Sequence, residues 1–347
     1  MMQKTTKPFN GKTYLYAIAG LLIVAALLGA GYAWISRNPP GQPVGALEPV
    51  SIATLVYPGT CSVIVAQAKG YFAGEGILVT MQTYSSGKAV LNAVFQGQAN
   101  LGTSGDIPIM FAAMNGQPVA IVATIATAEN DTEIIGRKDK GIVTPASLKG
   151  KRIGVTPGTA GPFLLDSFLT RHKLSANEVT VRDLKPEELS DALAKGDIDA
   201  ASIWQPFLGA LQTQLGGNGT TFPSRGIYDG TLSLAGTRDY VANHPQTIKK
   251  VLRALVRAGQ FCKDTPDAAG EIVAAAFKIE AAGLKKLWPD FRFNVMLDQS
   301  LLLALEDESR WAIKNKLTVR TDMPNFLNHV YLDALQAVAP AAVTILH

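Results

Sequence analysis

The chain has 347 residues, 47% of them hydrophobic and 17% charged, and a formal net charge of +4. Plentiful apolar residues exclude a disordered chain, and length with only two cysteines excludes a disulfide-stapled miniprotein. A polytopic membrane protein is excluded because a single stretch is long and apolar enough to span a bilayer.

That stretch lies at the N-terminus. Residues 13–36 carry no charged side chain. As a helix, residues 14–35 would run about 33 Å, enough to cross the hydrocarbon core. Lys4, Lys7 and Lys12 precede it and Arg37 follows, which predicts a cytoplasmic N-terminus. Tyr14, Tyr16, Tyr32 and Trp34 sit at its two ends, where amphipathic rings favour the interface. No A-x-A site follows, and no cysteine ends the stretch to accept a lipid. The reading is an uncleaved anchor, with a cleaved signal peptide as the alternative. Residues 36–48 are rich in Pro and Gly and read as a spacer. Through Glu48 the segment carries +3, so the remainder carries about +1 and a nucleic-acid reading loses its support.

From residue 50 onward, short apolar runs alternate with helical patterns. A strand is predicted at 51–56, a helix at 60–72 and a strand at 77–83. Ser86 caps a helix that ends at Gly97. A short strand follows near Leu101, then a helix at 105–115 and a long strand at 118–127. The pattern restarts with strands at 133–137 and 152–155, helices at 159–172 and 186–196, and strands at 178–183 and 198–203. A helix begins at Pro206 and a strand is predicted at 231–236. Beyond it the sequence is mostly helical, at 245–263, 266–278, 281–287, 297–315 and 324–338.

Such alternation predicts an α/β protein with parallel sheets, and two runs predict two lobes. The domain reading is a cytoplasmic basic tail at 1–13, the anchor at 14–35 and the linker at 36–48. Lobe 1 takes 49–130 and 235–347, and lobe 2 takes 131–234. Two crossings make a hinge with a cleft between the lobes. In open α/β sheets, ligands bind at the carboxyl ends of strands.

The predicted strand ends carry small polar residues and glycine. The candidates are Tyr57, Gly59 and Thr60 after the first strand, and Ser85, Ser86 and Gly87 after the second. Thr103, Ser104, Gly105 and Asp106 follow the third, and Thr156, Gly158, Thr159 and Ala160 open a helix in lobe 2. Hydroxyls and free amides at a helix N-terminus favour a small anionic group. Trp204 reads either as packing or as an aromatic wall, with Gln205 available for a hydrogen bond. Asp106 reads either as a helix cap or as a partner for a ligand amine.

No phosphate loop, dinucleotide fingerprint, G-x-S-x-G or H-E-x-x-H occurs. His172, His244, His329 and His347 are scattered without metal-ligand spacing. The expectation is a non-enzyme with no cofactor and no metal. Cys61 and Cys262 read as two small buried residues, and their pairing is left open.

Three segments, YSSGKAVLNAVFQGQANLGTSGDIPI, LKGKRIGVTPGTAGPFLL and GDIDAASIWQPFLGAL, resemble the nitrate/sulfonate/taurine group of periplasmic solute-binding proteins of ABC importers. The resemblance runs over roughly residues 49–340. It implies a two-lobed type II periplasmic binding protein fold with the ligand in the inter-lobe cleft, on the turns already named. It implies capture of an organosulfonate such as taurine or an alkanesulfonate, or of nitrate, for an ABC permease and its cytoplasmic ATPase. The chain departs from the family in its predicted membrane anchor. Competing readings are a membrane-tethered sensory or accessory module, and an importer component for a pyrimidine thiamine precursor or an aromatic acid.

Overall fold

A computed structural model of the chain describes residues 46–346. The predicted anchor at 14–35 and its basic tail lie outside the described residues. Among the described residues, no helix is long and apolar enough to cross a membrane.

The strands are β1 (Glu48–Leu55), β2 (Ile77–Tyr84), β3 (Leu101–Gly105) and β4 (Val119–Glu129). Next come β5 (Thr132–Arg137), β6 (Arg152–Val155), β7 (Thr180–Asp183), β8 (Ala200–Trp204) and β9 (Gly219–Phe222). The last two are β10 (Asp229–Thr237) and β11 (Phe291–Arg292). They form a six-stranded sheet in the order β11-β4-β10-β3-β1-β2 and a five-stranded sheet in the order β7-β6-β8-β5-β9. β1 runs parallel to β2 and β3, whereas β10 is antiparallel to both β3 and β4. In the second sheet, β6 is parallel to β7 and β8, and β5 is antiparallel to β8 and β9.

The burial patterns explain the placement. β4 reads VAIVATIATAE and is buried along almost its whole length, as a strand covered on both faces requires. β7, at the edge of its sheet, is exposed throughout. Helix Ala160–Arg171 packs Leu165, Phe168 and Leu169 on one face of the second sheet, against Ile153, Val155 and Ala200. Helices Pro186–Lys195 and Phe207–Leu215 cover the other face through Leu189, Leu193, Leu208 and Leu211, buried with Ile135, Ala201 and Ile203.

The chain passes between the sheets twice: at Asn130 and Asp131, between β4 and β5, and again over residues 223–228, between β9 and β10. β10 enters the first sheet between β3 and β4, so the returning chain lies in its interior rather than at an edge.

Several local expectations change. The helix expected at 60–72 is two helices, Cys61–Ala68 and Tyr71–Gly74, broken where Gly70 takes a φ of 67°. Such a left-handed backbone suits glycine and ends a helix. The helix expected at 324–338 is a 3-10 turn, Phe326–His329, followed by Leu332–Val338. Helix Arg238–Asn243, capped by the Thr237 hydroxyl accepting from Tyr240 N, was not foreseen, and neither were β9 and β11. Cys61 and Cys262 are both fully buried and are joined by a disulfide, with Cα atoms 6.4 Å apart. The bond ties helix Cys61–Ala68 to helix Pro245–Asp264. The reading of two separate small core residues is corrected accordingly: the sequence placed them in the core but not side by side.

Candidate functional site

A small cavity of about 60 Å³ opens where both sheets present their strand ends. Tyr57, Gly87, Gly105 and Asp106 line it from the first sheet, and Thr159, Ala160 and Trp204 from the second. Leu55 and Pro108 add apolar wall, and the two crossings with the strand starts that follow them add Asp131 and Thr132 on the outward passage, and Tyr228, Gly230, Thr231 and Leu232 on the return.

Two carboxylate–tyrosine pairs dominate its chemistry. The Tyr57 hydroxyl donates to Asp131 Oδ2 at 2.7 Å, and the Tyr228 hydroxyl donates to Asp106 Oδ1 at 2.6 Å. Asp106 Oδ1 also accepts from Ile107 N at 2.8 Å, and its Oδ2 accepts from Thr231 N at 2.9 Å. Asp106 is thus both a helix residue binding its own first turn and a tie to the returning strand. Burial pushes the Asp131 carboxyl up to about 6, with the Tyr57 hydrogen bond pulling the other way. Burial raises Asp106 too, against its hydrogen bond from Tyr228. Both tyrosines are pushed well above their usual range by burial and then by the adjacent carboxylates, so they remain donors. Glu308, 2% exposed on helix Gln299–Lys314, is raised well above the carboxylate range by burial and by the Asp106 charge.

Glycines bring these groups together. A Cβ on Gly59 would lie 2.4 Å from the Tyr57 ring, so only glycine lets the ring fold back over its own turn. A Cβ on Gly87 would lie 2.6 Å from Ser104 Oγ. A Cβ on Gly161 would lie 2.5 Å from the Ser202 carbonyl oxygen, and Ser202 Oγ donates to Gly161 O at 2.8 Å. The first turn of helix Ala160–Arg171 is thereby held tightly against β8, with its N-terminal amides at the cavity.

Seven of the sixteen sequence-predicted residues line this cavity: Tyr57, Gly87, Gly105, Asp106, Thr159, Ala160 and Trp204. The others shape the turns without lining it. Gly59 seats the Tyr57 ring, and the Thr60 hydroxyl donates to Tyr57 O at 2.6 Å. Ser86 caps helix Gly87–Phe95 by accepting from Ala89 N, and Ser85, half-buried, precedes it. Thr103 Oγ1 accepts from Leu55 N at 3.1 Å, fastening β3 to β1. Ser104 is fully buried. Thr156 O accepts from the Thr159 hydroxyl at 2.7 Å, and Gln205 Oε1 accepts from Gly209 N at 3.1 Å. Trp204 combines the two roles weighed for it: it lines the cavity and packs edge-on against Phe207 at 5.9 Å between ring centroids.

Gly158, with φ of 75°, lines a second, larger cavity of about 810 Å³. The Lys88 side chain lies opposite, its Nζ 3.7 Å from where a Gly158 Cβ would stand. Pro108 lines both cavities, which therefore adjoin. Phe111, Pro162, Leu165 and Trp311 give the larger space apolar walls.

Sequence reading missed Asp131, Tyr228 and Thr231. Asp131 and Tyr228 lie on the two chain crossings and Thr231 near the start of β10, close to the lobe boundaries expected at 131 and 234. Asking which polar residues sit at a crossing would have found them.

Comparison with known proteins follows this geometry. A Brucella abortus (strain 2308) protein named only as a binding protein is 25% identical over 235 residues, 66% of this chain and 71% of its own. The taurine-binding periplasmic protein of Escherichia coli (strain K12) is 28% identical over 206 residues, 58% of this chain and 63% of its own. The alkanesulfonate-binding protein of Xanthomonas axonopodis pv. citri, bound to MOPS, shares the fold with a TM-score of 0.71 at 21% identity, over 84% of this chain and 99% of its own. The family model described as NMT1/THI5 like matches residues 58–269, and the chain belongs to that family.

Proposed function

We propose that this chain is the extracytoplasmic solute-binding component of an ABC importer, and that it holds a small organosulfonate between its two sheets for delivery to a membrane permease. The observation that carries the reading is the cavity at the strand ends, lined from both sheets and from both chain crossings. A ligand held there bridges the two halves, so it stabilises the arrangement in which they meet. The family relation supports the same function, since relatives include taurine- and sulfonate-binding proteins.

In this reading the acidic group of the solute lies against the first turn of helix Ala160–Arg171, near Thr159 and Ala160. Helix amides and dipole favour an anion there. Lys88, beside Gly158, adds a positive charge at the neighbouring opening. The remaining predicted turn residues act by holding these groups in place. Residues 14–35, charge-free and preceded by three lysines, are proposed to keep the protein at the cytoplasmic membrane.

Calorimetry on the purified full-length chain with taurine, ethanesulfonate, nitrate and a pyrimidine tests the ligand. Sulfonate binding at micromolar or tighter affinity is expected. Binding of the pyrimidine alone would retire the sulfonate reading, and turnover of any ligand would retire transport. Immunoblotting of membrane and soluble fractions for the intact mass tests the anchor.

A further inference from the structure

We propose that Phe163 is a positioning residue for solute capture: its ring, carried by the half built on the second sheet, seats in a socket on the half built on the first, and so sets how long the two stay closed on a solute. This deepens the function proposed above and rests on it.

Phe163 lies in the first turn of helix Ala160–Arg171, three residues beyond Ala160 at the small cavity. The helix is fixed to the second sheet through Leu165, Phe168 and Leu169. Helical spacing turns Phe163 away from that face, together with Asp166 one turn on. Its ring meets two others edge-on, Trp311 at 5.2 Å and 87°, and Tyr228 at 5.4 Å and 70°. Both partners are tied to one helix of the first half, Asp106–Met114. The Tyr228 hydroxyl holds its first residue, Asp106, and Trp311 packs edge-on against Phe111 at 6.2 Å. One turn further along both helices, Asn315 Nδ2 donates to Asp166 Oδ2 at 3.5 Å.

Edge-to-face rings attract beyond the area they bury, and only in a narrow geometry. The contact therefore acts when the halves are together and is lost over a small displacement. It stands beside a gap. The larger cavity is lined by Phe95 and Phe111 from the first half and by Pro157 and Leu165 from the second. The contact is also reversible. Trp311 is 9% exposed, and among the described residues its Nε1 has no hydrogen-bond partner. A buried N–H without an acceptor is costly. Trp311 lines the larger cavity, so parting the halves would wet the indole and offset part of the lost packing. Such a contact biases the closed arrangement by a modest factor, and the bias is read in the release rate.

The first readout needs no solute. Spin labels at Leu78→Cys with Val143→Cys, and at Leu303→Cys with Val143→Cys, all exposed positions, report distances between the halves of the full-length chain by pulsed dipolar spectroscopy. Phe163→Ala is expected to shift or broaden at least one distance distribution by about 3 Å, as hinge opening requires. Unchanged distributions in both pairs overturn the proposal. The second readout is stopped-flow binding of taurine. Phe163→Ala is expected to raise koff about fivefold and to change kon less than about twofold. An unchanged koff, or a loss confined to kon, overturns the proposal as well. Thermal midpoints check the fold. Where the alanine variant fails to fold, Phe163→Leu, which removes the ring and keeps an apolar side chain, is held to the same outcomes at about half the size. If wild type binds neither taurine nor ethanesulfonate, the sulfonate reading fails, and the label distances alone decide whether Phe163 holds the halves together.

Discussion

The Tyr228 hydroxyl donates to Asp106 Oδ1 at 2.6 Å, joining the residue just before β10 to the first residue of helix Asp106–Met114, 122 positions earlier. The bond fixes the returning chain to the sheet it re-enters. Tyr228→Phe is expected to cost about 1.5–3 kcal/mol, the range for a hydrogen bond to a charged group. Urea unfolding with an unchanged m-value would measure it.

Acid pH should act through Asp131. Its folded pKa of about 6 lies above the ordinary value of about 3.9. Between these values the folded protein binds a proton that the unfolded chain has lost, so this group makes stability fall as pH rises through that window. Tyr57 donates to it, Asp106 repels it, and Glu133, itself raised to about 7, feels its charge. Thermal midpoints of wild type and Asp131→Asn from pH 4 to 8 are expected to differ in slope between about pH 4 and 6. A residual slope remains, because Asp106, Glu133 and Glu308 are raised too.

Gly161→Ala should damage the site from one position away. The new Cβ meets a backbone oxygen, Ser202 O, at 2.5 Å, and neither partner has a flexible end to yield. Overpacking of this kind costs about 1–3 kcal/mol. Solute affinity should fall along with stability, because Thr159 and Ala160 shift with the helix start. Gly217→Ala, with nothing within 4 Å of its Cβ, is the control.

Removing the disulfide should cost stability without touching the cavity. Cys61→Ala with Cys262→Ala is expected to lose about 2–5 kcal/mol. Solute affinity should be unchanged within about twofold, since neither residue lines the cavity. Parallel denaturation and calorimetry separate the two effects.

The order of strands and helices was legible because helices repeat their apolar positions with a period near 3.6 and strands stand out as short apolar runs bounded by glycine and polar turns. β4 and helix Pro245–Asp264 are long enough to announce themselves. The four-residue β9 and two-residue β11 are too short to carry a period. At the site, Asp106 and Thr159 were visible because glycine and hydroxyl residues mark strand-to-helix turns. Glu308 was not, because it follows Glu306 and Asp307 and so reads as part of a solvated helix face. Asp131 and Tyr228 acquire meaning only when the topology brings both crossings to one place.

The disulfide also sets a temporal order. Cys61 precedes the first crossing and Cys262 follows the second, 201 positions further on. When the chain is made from its N-terminus, the first thiol waits while every strand of the second sheet emerges. The bond can close only after Cys262 has been made, and so only after every strand of the second sheet has emerged. A molecule truncated anywhere within that insertion lacks the partner of Cys61, and under reducing-agent-free, thiol-blocked handling a thiol-reactive label would count such incomplete chains.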